Sequence, residues 1–356
     1  MRFRARAPCR IAIRVHWHYA PRMPQQNQQI VLLRRPKGAV SLDCFGEKTA
    51  TVPDLRDGQI LVKTLMLSID PTIRGWIERD TYLPAIELGA VVRSAGAGVV
   101  VASKNPAFSP GDRVFSVVGW QEYAVLEGAD RPVPIPAGIP LEDALSVFGV
   151  TGMTAYFGLM DIGRPVAGET VVVSGAAGAT GSIVGQLAKH KGCRVVGIAG
   201  SPTKCAWLTE LGFDAAIDYK KEDVGKRLAE TCPKGIDVFF DNVGGRILND
   251  ALGRLALRGR VVLCGAISQY EQLDQAYGPP NYINLISLRG RMEGFIILDY
   301  VDRFMEGVMA LGALLAEGKL KHKTTVVPGL ATAPEALKRL FSGDHDGKLL
   351  VQVAVE

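Results

Sequence analysis

The chain has 356 residues, of which 47% are hydrophobic, 22% are charged and 40 are glycine. This length suffices for about two domains with substantial cores, and the composition excludes an intrinsically disordered protein. No apolar run approaches the roughly 20 residues that cross a bilayer. We therefore expect a cytoplasmic protein with no membrane partner.

Residues 1–22 contain six arginines and no acidic residue. Without them, the remaining 35 basic residues nearly balance the 36 acidic residues, so we expect no nucleic-acid partner. The segment predicts a basic N-terminal extension outside the fold. Arg14 and His16 interrupt its apolar stretch, which argues against a secretory signal. Two interpretations stay open: an organelle transit peptide, or a protein whose translation begins at Met23.

The six cysteines form no CxxC pair, which is typical of a reduced intracellular protein. None of the five histidines lies between positions 19 and 189, and Cys44 is the only cysteine from Met23 to Lys189. Because a zinc site needs several imidazole or thiolate ligands close together, we expect no metal site.

Residues 27–135 contain short β-branched runs, such as GAGVVVAS, separated by glycine and proline turns. This pattern predicts a mostly-β, barrel-like domain whose first part spans residues 23–145. Short strands return in TTVVPG and KLLVQVAV near the end of the chain. We expect residues 319–356 to rejoin the first domain.

From Leu141 onward, helices and strands alternate, with helices predicted over 141–160 and 302–317. Near-continuous apolar strands between helices indicate a parallel sheet covered on both faces. Residues 146–318 are therefore predicted to form an α/β, doubly wound Rossmann domain. Its strands are expected at 170–175, 193–200, 214–219, 236–243, 259–266 and 288–296.

A glycine-rich loop joins the first of these strands to a helix, with Gly175, Gly178 and Gly181 in a GxxGxxG spacing. Glycines permit a tight turn and a close approach of the backbone to a pyrophosphate, which the helix N-terminus then stabilises. This loop predicts a dinucleotide site.

The end of the next strand indicates which dinucleotide is bound. NAD sites place an Asp or Glu there for the ribose 2′-hydroxyl. Here the chain reads AGSPTK, where Ser201 and Lys204 leave room and countercharge for a 2′-phosphate. NADP(H) is therefore the expected cofactor, although Lys204 alone is equally compatible with a solvated helix residue.

Several ordered motifs resemble one family: SxxPTxRGW at 68–76, GWQEYAV at 119–125, GMTAYFGL at 152–159, FDNVGG at 240–245 and LCGAISQY at 263–270. They are similar to the zinc-independent medium-chain dehydrogenases/reductases that include leukotriene/prostaglandin reductases, alkenal double-bond reductases and curcumin reductase-like enzymes. The resemblance extends from Ile30 to the C-terminus. It implies a GroES-like β domain beside a Rossmann domain, with the active site between them.

The resemblance also implies cofactor contacts at the strand ends and in the tail. Lys204 and Tyr219 match positions that hold the 2′-phosphate, whereas GDHDGK places His345 where the family often has asparagine, so that contact stays open. The remaining positions are Gly178, Ala179, Thr180 and Gly181 at the pyrophosphate, Asn242, then Cys264, Gly265, Ala266, Ile267, Ser268, Gln269 and Tyr270 along the nicotinamide riboside, and Phe295, Ile296, Ile297 and Leu298 beside the nicotinamide.

The activity that the resemblance implies is reduction of the carbon–carbon double bond of an α,β-unsaturated aldehyde or ketone. Without zinc, charge developing on the carbonyl oxygen needs hydrogen-bond donors, and Tyr270 is the candidate catalytic residue. Tyr82 and Thr72 are the candidate substrate-binding residues. Trp76 and Tyr282 are further aromatic candidates, and Arg74 either attracts an acidic substrate or is structural.

Two other functions stay open: an NADPH quinone oxidoreductase and a non-catalytic NADPH-binding protein. Relatives of this kind are often homodimers in which the Rossmann sheets join edge to edge. The segments around residues 285–310 are the expected contact region.

Overall fold

The structure is a computed structural model that describes residues 26–355, so the predicted extension over residues 1–22 lies outside the described residues. The chain forms one parallel and one mainly antiparallel sheet, together with a two-stranded ribbon. Within the described residues, no helix is long and apolar enough to cross a membrane.

The strands between residues 26 and 355 are β1 (Gln26–Leu32), β2 (Phe45–Thr51), β3 (Ile60–Ser68), β4 (Ala95–Ser103), β5 (Arg113–Val117), β6 (Tyr123–Leu126), β7 (Val133–Pro134), β8 (Thr170–Ser174), β9 (Arg194–Ala199), β10 (Ala215–Asp218), β11 (Ile236–Asp241), β12 (Leu255–Leu263), β13 (Arg291–Gly294), β14 (Thr324–Pro328) and β15 (Lys348–Gln352). The α-helices of the same residues are α1 (Thr72–Trp76), α2 (Leu141–Leu145), α3 (Val150–Phe157), α4 (Ala179–His190), α5 (Pro202–Glu210), α6 (Val224–Thr231), α7 (Gly245–Leu252), α8 (Asn284–Leu288), α9 (Phe304–Ala316) and α10 (Ala333–Ser342).

The parallel sheet has six strands in the order β10-β9-β8-β11-β12-β13. β8 lies at the centre, and the chain moves outward from it first in one direction and then in the other, which is the doubly wound topology. Val171, Val172 and Val173 of β8 are fully buried, because helices cover both faces of the sheet. The predicted Rossmann sheet is confirmed.

Two elements differ from the predictions. The helix expected over 141–160 is divided into α2 and α3, because the backbone leaves helical geometry at Ser146, whose hydroxyl donates to the Glu142 carbonyl at 2.5 Å. β12 begins at Leu255, before the predicted start at Gly259. A bulge in which Arg258 has a φ of 62° joins the more exposed first half of this strand to its more buried second half.

The second sheet has the order β14-β15-β3-β4-β5-β7, with β6 paired to β3, while β1 and β2 form the separate ribbon. All neighbours in it are antiparallel except β14 and β15. Fully buried Trp120 packs beside Phe45, with 5.4 Å between ring centroids. This mostly-β, GroES-like domain is confirmed as the partner of the Rossmann domain.

The tail returns from the Rossmann domain to the β domain, where β15 pairs with β3. Lys348, at the start of β15, is buried, and its Nζ donates to Asp70 Oδ1 at 2.5 Å. The preceding residue, Gly347, forms a backbone bridge with Gly178 of the Rossmann domain. The tail therefore holds the two domains together at their junction. The domain boundaries after residues 145 and 318 stay predictions.

Candidate active site

The glycine loop lies between β8 and α4, as the sequence predicts. Gly178 is the N-cap of α4, whose first residues are Ala179, Thr180 and Gly181. A side-chain carbon at Gly181 would lie 2.5 Å from the Gly175 carbonyl oxygen, so the loop and helix approach too closely for any residue but glycine. The N-terminal N–H groups of α4 and its dipole are consequently available to an anion at this loop.

A second group of residues follows β9 and β10, at the same edge of the sheet. Ser201 caps α5, its hydroxyl accepting a hydrogen bond from the Lys204 backbone N–H at 3.2 Å. The Lys204 Nζ donates to the Gly343 carbonyl at 2.7 Å. Tyr219 is 46% exposed, and its ring packs against Gly200. With His345, these side chains form what we call the phosphate corner: Ser201, Lys204, Tyr219 and His345.

His345 reaches the phosphate corner from the tail of the β domain. Its Nδ1 is buried and has no hydrogen-bond partner among the described residues. Burial, and then the nearby Lys204 charge, lower the pKa of His345 to about 4. Burial likewise lowers the pKa of Lys204, while Asp346 opposes that shift.

These features fit the 2′-phosphate of NADP(H). A phosphate accepts several hydrogen bonds, and the phosphate corner offers an ammonium and a hydroxyl as donors. The unpartnered Nδ1 of His345 would be a further donor once the ring takes up a proton beside the anion. Asp344 and Asp346, the carboxylates beside His345, are exposed to solvent. An anion placed at the corner would therefore gain donors without meeting a buried carboxylate.

A buried network joins the ends of β8 and β11, and the sequence reasoning did not identify it. Asp241 is fully buried and accepts a hydrogen bond from the Ser174 hydroxyl at 2.6 Å, and two more from the backbone N–H groups of Val243 and Gly244. Asn242 donates its side-chain amide to the Ser174 carbonyl at 2.7 Å. The signal in the sequence was a charged residue, Asp241, directly after the apolar run Val238–Phe240 at the cofactor edge.

The segment after β12 packs onto this network. Gly265 donates its N–H to the Asp241 carbonyl, Ile267 to that of Asn242, and Ser268 to that of Val243. Predicted cofactor residues Cys264 to Tyr270 are thus held against predicted residue Asn242 by main-chain hydrogen bonds. Burial, and then Asp241, raise the pKa of the Cys264 thiol to about 12, which removes it as a nucleophile at neutral pH.

Tyr270 folds back over this segment. Its hydroxyl oxygen accepts the Ala266 backbone N–H at 3.0 Å, and its own proton has no acceptor among residues 26–355. Burial raises the pKa of Tyr270, and the Ala266 hydrogen bond only partly opposes that. The side chain is therefore a neutral phenol that can donate one hydrogen bond to a bound molecule.

Tyr82 and Thr72 approach Tyr270 from the β domain. Burial raises the pKa of the half-exposed Tyr82, the adjacent Thr72 hydroxyl lowers it, and the nearby Tyr270 raises it further. The Trp76 ring meets the Tyr82 ring edge-on, with 6.1 Å between centroids. Arg93, which the sequence reasoning missed, lies 5.5 Å from the Trp76 ring centroid and donates to the Pro84 carbonyl at 3.0 Å.

Other predicted residues lie outside this group. Arg74 is completely buried, donates to the Gly38 carbonyl at 2.8 Å and pairs with Glu78, so it is structural. Tyr282 is 62% exposed. The preceding residue, Asn281, donates its side-chain amide to the Asn249 carbonyl of α7. Phe295 packs against Gly158 and the Rossmann core, and Ile297 also touches that core. Ile296 and Leu298 follow the end of β13, where Leu298 is exposed.

The domain junction is closed by contacts on both sides of the site. Glu271, directly after Tyr270, accepts the Val40 backbone N–H at 3.1 Å. On the opposite side, Gly347 has a φ of 60°, and a side-chain carbon there would overlap the Lys323 carbonyl. Only glycine fits at this point of the tail, where the backbone also forms the bridge with Gly178 of the Rossmann domain. Within the described residues, no group of three or more His, Cys, Asp or Glu side chains is placed to hold a metal ion.

A parallel six-stranded sheet inserted into a split, mostly-β domain, with a dinucleotide loop at their junction, is the architecture of an oxidoreductase. Family models match both parts of the chain. Residues 28–132 match the N-terminal domain of oxidoreductase, and residues 179–311 match the zinc-binding dehydrogenase domain.

Known proteins refine this class. The chain is 37% identical to the NADPH-dependent curcumin reductase of Escherichia coli, over 93% of this chain and 98% of that protein. It is 39% identical to the NADP(+)-dependent 2-alkenal reductase of Nicotiana tabacum, over 93% and 98%. The crystal structure of CurA from Vibrio vulnificus in complex with NADPH superposes with a TM-score of 0.88 at 38% identity, covering 92% of this chain and all of that one. The chain belongs to the zinc-independent branch of the medium-chain dehydrogenases/reductases, among the curcumin and alkenal reductases.

Proposed function

We propose that this protein uses NADP(H) to reduce the carbon–carbon double bond of α,β-unsaturated aldehydes and ketones. The observation that carries the proposal is the Tyr270 hydroxyl, which accepts from Ala266 and keeps its proton free to donate. It lies at the carboxyl edge of the Rossmann sheet, close to Tyr82 and Thr72 of the β domain. Relatives named as curcumin and 2-alkenal reductases support the same reaction class.

The glycine loop and the phosphate corner would hold NADP(H), which would supply a hydride for the β-carbon of the enone. Negative charge then develops on the carbonyl oxygen, and Tyr270 donates its phenolic hydrogen bond to that oxygen. Because the raised pKa keeps Tyr270 protonated at neutral pH, the donor is present throughout the working range. The α-carbon then takes a proton from water or through Tyr270, which gives the saturated carbonyl compound. Glu271 and the tail hold the two domains together beside the site.

Tyr82, Thr72 and Trp76 form the side of the site that receives the enone. Their rings and hydroxyl groups favour an apolar chain with a carbonyl at one end. Arg93 has no carboxylate partner among the described residues, and burial lowers its pKa. A substrate with an acidic or electron-rich group away from the enone would be attracted to this guanidinium.

The test is NADPH oxidation followed at 340 nm with nonenal, a conjugated ketone, an enone that carries a carboxylate, and benzoquinone. NADH is run in parallel, and the products are identified by mass. We expect NADPH-dependent turnover of the enals and enones with a saturated carbonyl as product. An allylic alcohol product, or turnover of benzoquinone alone, would overturn the proposal in favour of carbonyl or quinone reduction. Tight NADPH binding with no turnover of any compound would identify a binding protein.

We also propose a homodimer that joins through the edge strand β13. Large apolar side chains are exposed around this edge, namely Ile283, Ile286, Leu298, Met305 and Met309. Such a patch on a soluble reductase favours a protein contact. Sedimentation equilibrium of the wild type should give twice the mass of one chain. The double variant Ile286→Glu with Met309→Glu should give the mass of one chain. A monomeric wild type would refute the dimer.

A further inference from the structure

Five arginines line one cavity of about 320 Å³ on the Rossmann domain: Arg164, Arg258, Arg260, Arg289 and Arg291. We call it the arginine cavity. Arg291 begins β13 and Arg289 lies just before it, at the edge that we propose as the dimer contact, so an anion bound here would lie beside that contact. Arg260 and Arg291 are in register on neighbouring strands, at the level where β8 and β11 begin. The cofactor residues follow the carboxyl ends of the same strands. About 10 Å of strand therefore separates the arginine cavity from the cofactor edge.

The positive charge of the arginine cavity is only partly neutralised. Glu169 accepts two hydrogen bonds from Arg260, and Glu293 pairs with Arg291 at 3.5 Å. Among residues 26–355, no other carboxylate forms an ion pair with the five arginines, so the cavity keeps an excess of three positive charges. Like charges held together repel one another unless an anion lies between them.

The three remaining guanidiniums have most of their donors unused. Arg164 donates to the Asp161 carbonyl at 2.7 Å, and Arg289 donates to the Ser287 carbonyl at 2.8 Å. Arg258 has no hydrogen bond or ion pair with the described residues. A guanidinium carries five N–H donors in a planar fork that matches phosphate oxygens. The arginine cavity is thus rich in the donors that bind phosphate groups.

The backbone conformation of three of these arginines is also unusual. Arg164, Arg258 and Arg289 have φ values of 47°, 62° and 49°, in the left-handed region that favours glycine. In the described part of the chain, Arg131 is the one other residue besides glycine with a positive φ. Arg164 and Arg289 are the C-caps of the helical segments that end at Gly163 and Leu288, and Arg258 lies at the bulge of β12. At all three positions an arginine stands where glycine would relieve the backbone conformation and the repulsion.

We propose that the arginine cavity binds an anion that carries a diphosphate group. Such a group has about three negative charges at neutral pH, which equals the excess charge of the cavity. Its two phosphates present oxygens to several guanidiniums at once, and the cavity is larger than one phosphate needs. The diphosphate could be free or part of a nucleotide, and the two sources share this chemistry.

The test is calorimetric titration of the full chain, saturated with NADP⁺ so that the cofactor site is filled, at constant ionic strength. The probes are inorganic pyrophosphate, ADP and inorganic phosphate. We expect saturable binding of one pyrophosphate per chain, with phosphate weaker by at least tenfold. ADP that binds more tightly than pyrophosphate would indicate a nucleotide, and equal affinity would indicate recognition of the diphosphate alone.

The variants are Arg258→Gln with Arg289→Gln, and the matched control is Arg131→Gln, which also has a left-handed backbone but lies outside the cavity. We expect the double variant to lose at least tenfold in pyrophosphate affinity, to keep its NADP⁺ affinity, and to melt no lower than the wild type without anion. No saturable binding by the wild type, or equal affinity in wild type and double variant, would overturn the proposal. The proposal would also be overturned if the wild type bound no pyrophosphate and the double variant had a different sedimentation mass from the wild type. The arginines would then contact a second copy of the chain.

Discussion

The cofactor end and the substrate end of this site are built in different ways. At the cofactor end, the glycine loop, Ser201 and Asn242 follow strands of one rigid sheet, and hydrogen bonds of the main chain hold most positions. At the substrate end, Tyr82 and Thr72 come from loops and a short helix of the other domain. Backbone geometry determines the cofactor end, and side chains determine the substrate end. Single substitutions should therefore affect cofactor binding and substrate turnover separately.

The largest effect is expected from Tyr270→Phe. This change removes the phenolic donor while the ring keeps its packing, so kcat/KM for an enal should fall by about 100-fold or more. The KM for NADPH should stay within about twofold, because the ring still covers the loop from Gly265 to Ala266. Steady-state kinetics measures both constants. Tyr277→Phe is the control, since Tyr277 is an exposed tyrosine of the same segment; equal losses in the two variants would remove Tyr270 from the reaction.

Lys204→Met tests the cofactor end alone. Loss of a charged donor to the 2′-phosphate should raise the KM for NADPH by about 10- to 100-fold, while NADH kinetics stay unchanged. Lys191→Met, on an exposed position at the end of α4, is the matched control. A variant that weakens NADH and NADPH equally would show that Lys204 is structural.

The pH dependence of stability should identify His345. Its folded pKa of about 4 lies below the value of 6.5 for a free histidine, so the unfolded chain binds the extra proton first. This contribution to the free energy of unfolding is complete above about pH 6.5 and is lost as the pH falls toward 4. The melting temperature of wild type should therefore drop more steeply over this range than that of His345→Asn. His190→Asn, at the exposed end of α4, should follow the wild type.

Tyr82→Phe should have the smallest effect. Tyr82 is 43% exposed on the proposed substrate side, so loss of its hydroxyl should raise the KM for an enal by about three- to tenfold with little change in kcat. Tyr123→Phe on β6 supplies the background value. A change in the KM for NADPH instead would place Tyr82 at the cofactor end and break the distinction between the two ends.

The sequence predicted where the proposed cofactor residues lie in the fold, because strand–loop–helix order leaves a local pattern; their contacts with the cofactor stay predictions. The glycine loop, Lys204 and Asn242 all lie where the alternation of strands and helices places them. Contacts between distant segments leave no such pattern. Arg93, the Ser174–Asp241 hydrogen bond and the Gly178–Gly347 bridge each depend on packing between elements far apart in the chain.

Arg74 and the helix over 141–160 show the same limit. An arginine between Ile73 and Gly75 gives no sign of being completely buried until the Gly38 carbonyl is found beside it. Ser146 ends α2 because its hydroxyl bonds to the preceding turn, a choice that periodicity alone does not reveal.

The hydrogen bond between Lys348 and Asp70 joins positions 278 residues apart in the chain. During synthesis on the ribosome, all strands of the Rossmann sheet are made before β14 and β15. The dinucleotide fold can therefore form early, as a contiguous unit, whereas the sheet that surrounds Asp70 must wait for the last strands. In a nascent chain, the glycine loop could take its folded conformation before the tail joins the two domains. The contact between the two domains at Gly178 and Gly347 is therefore formed only after β15 has been made.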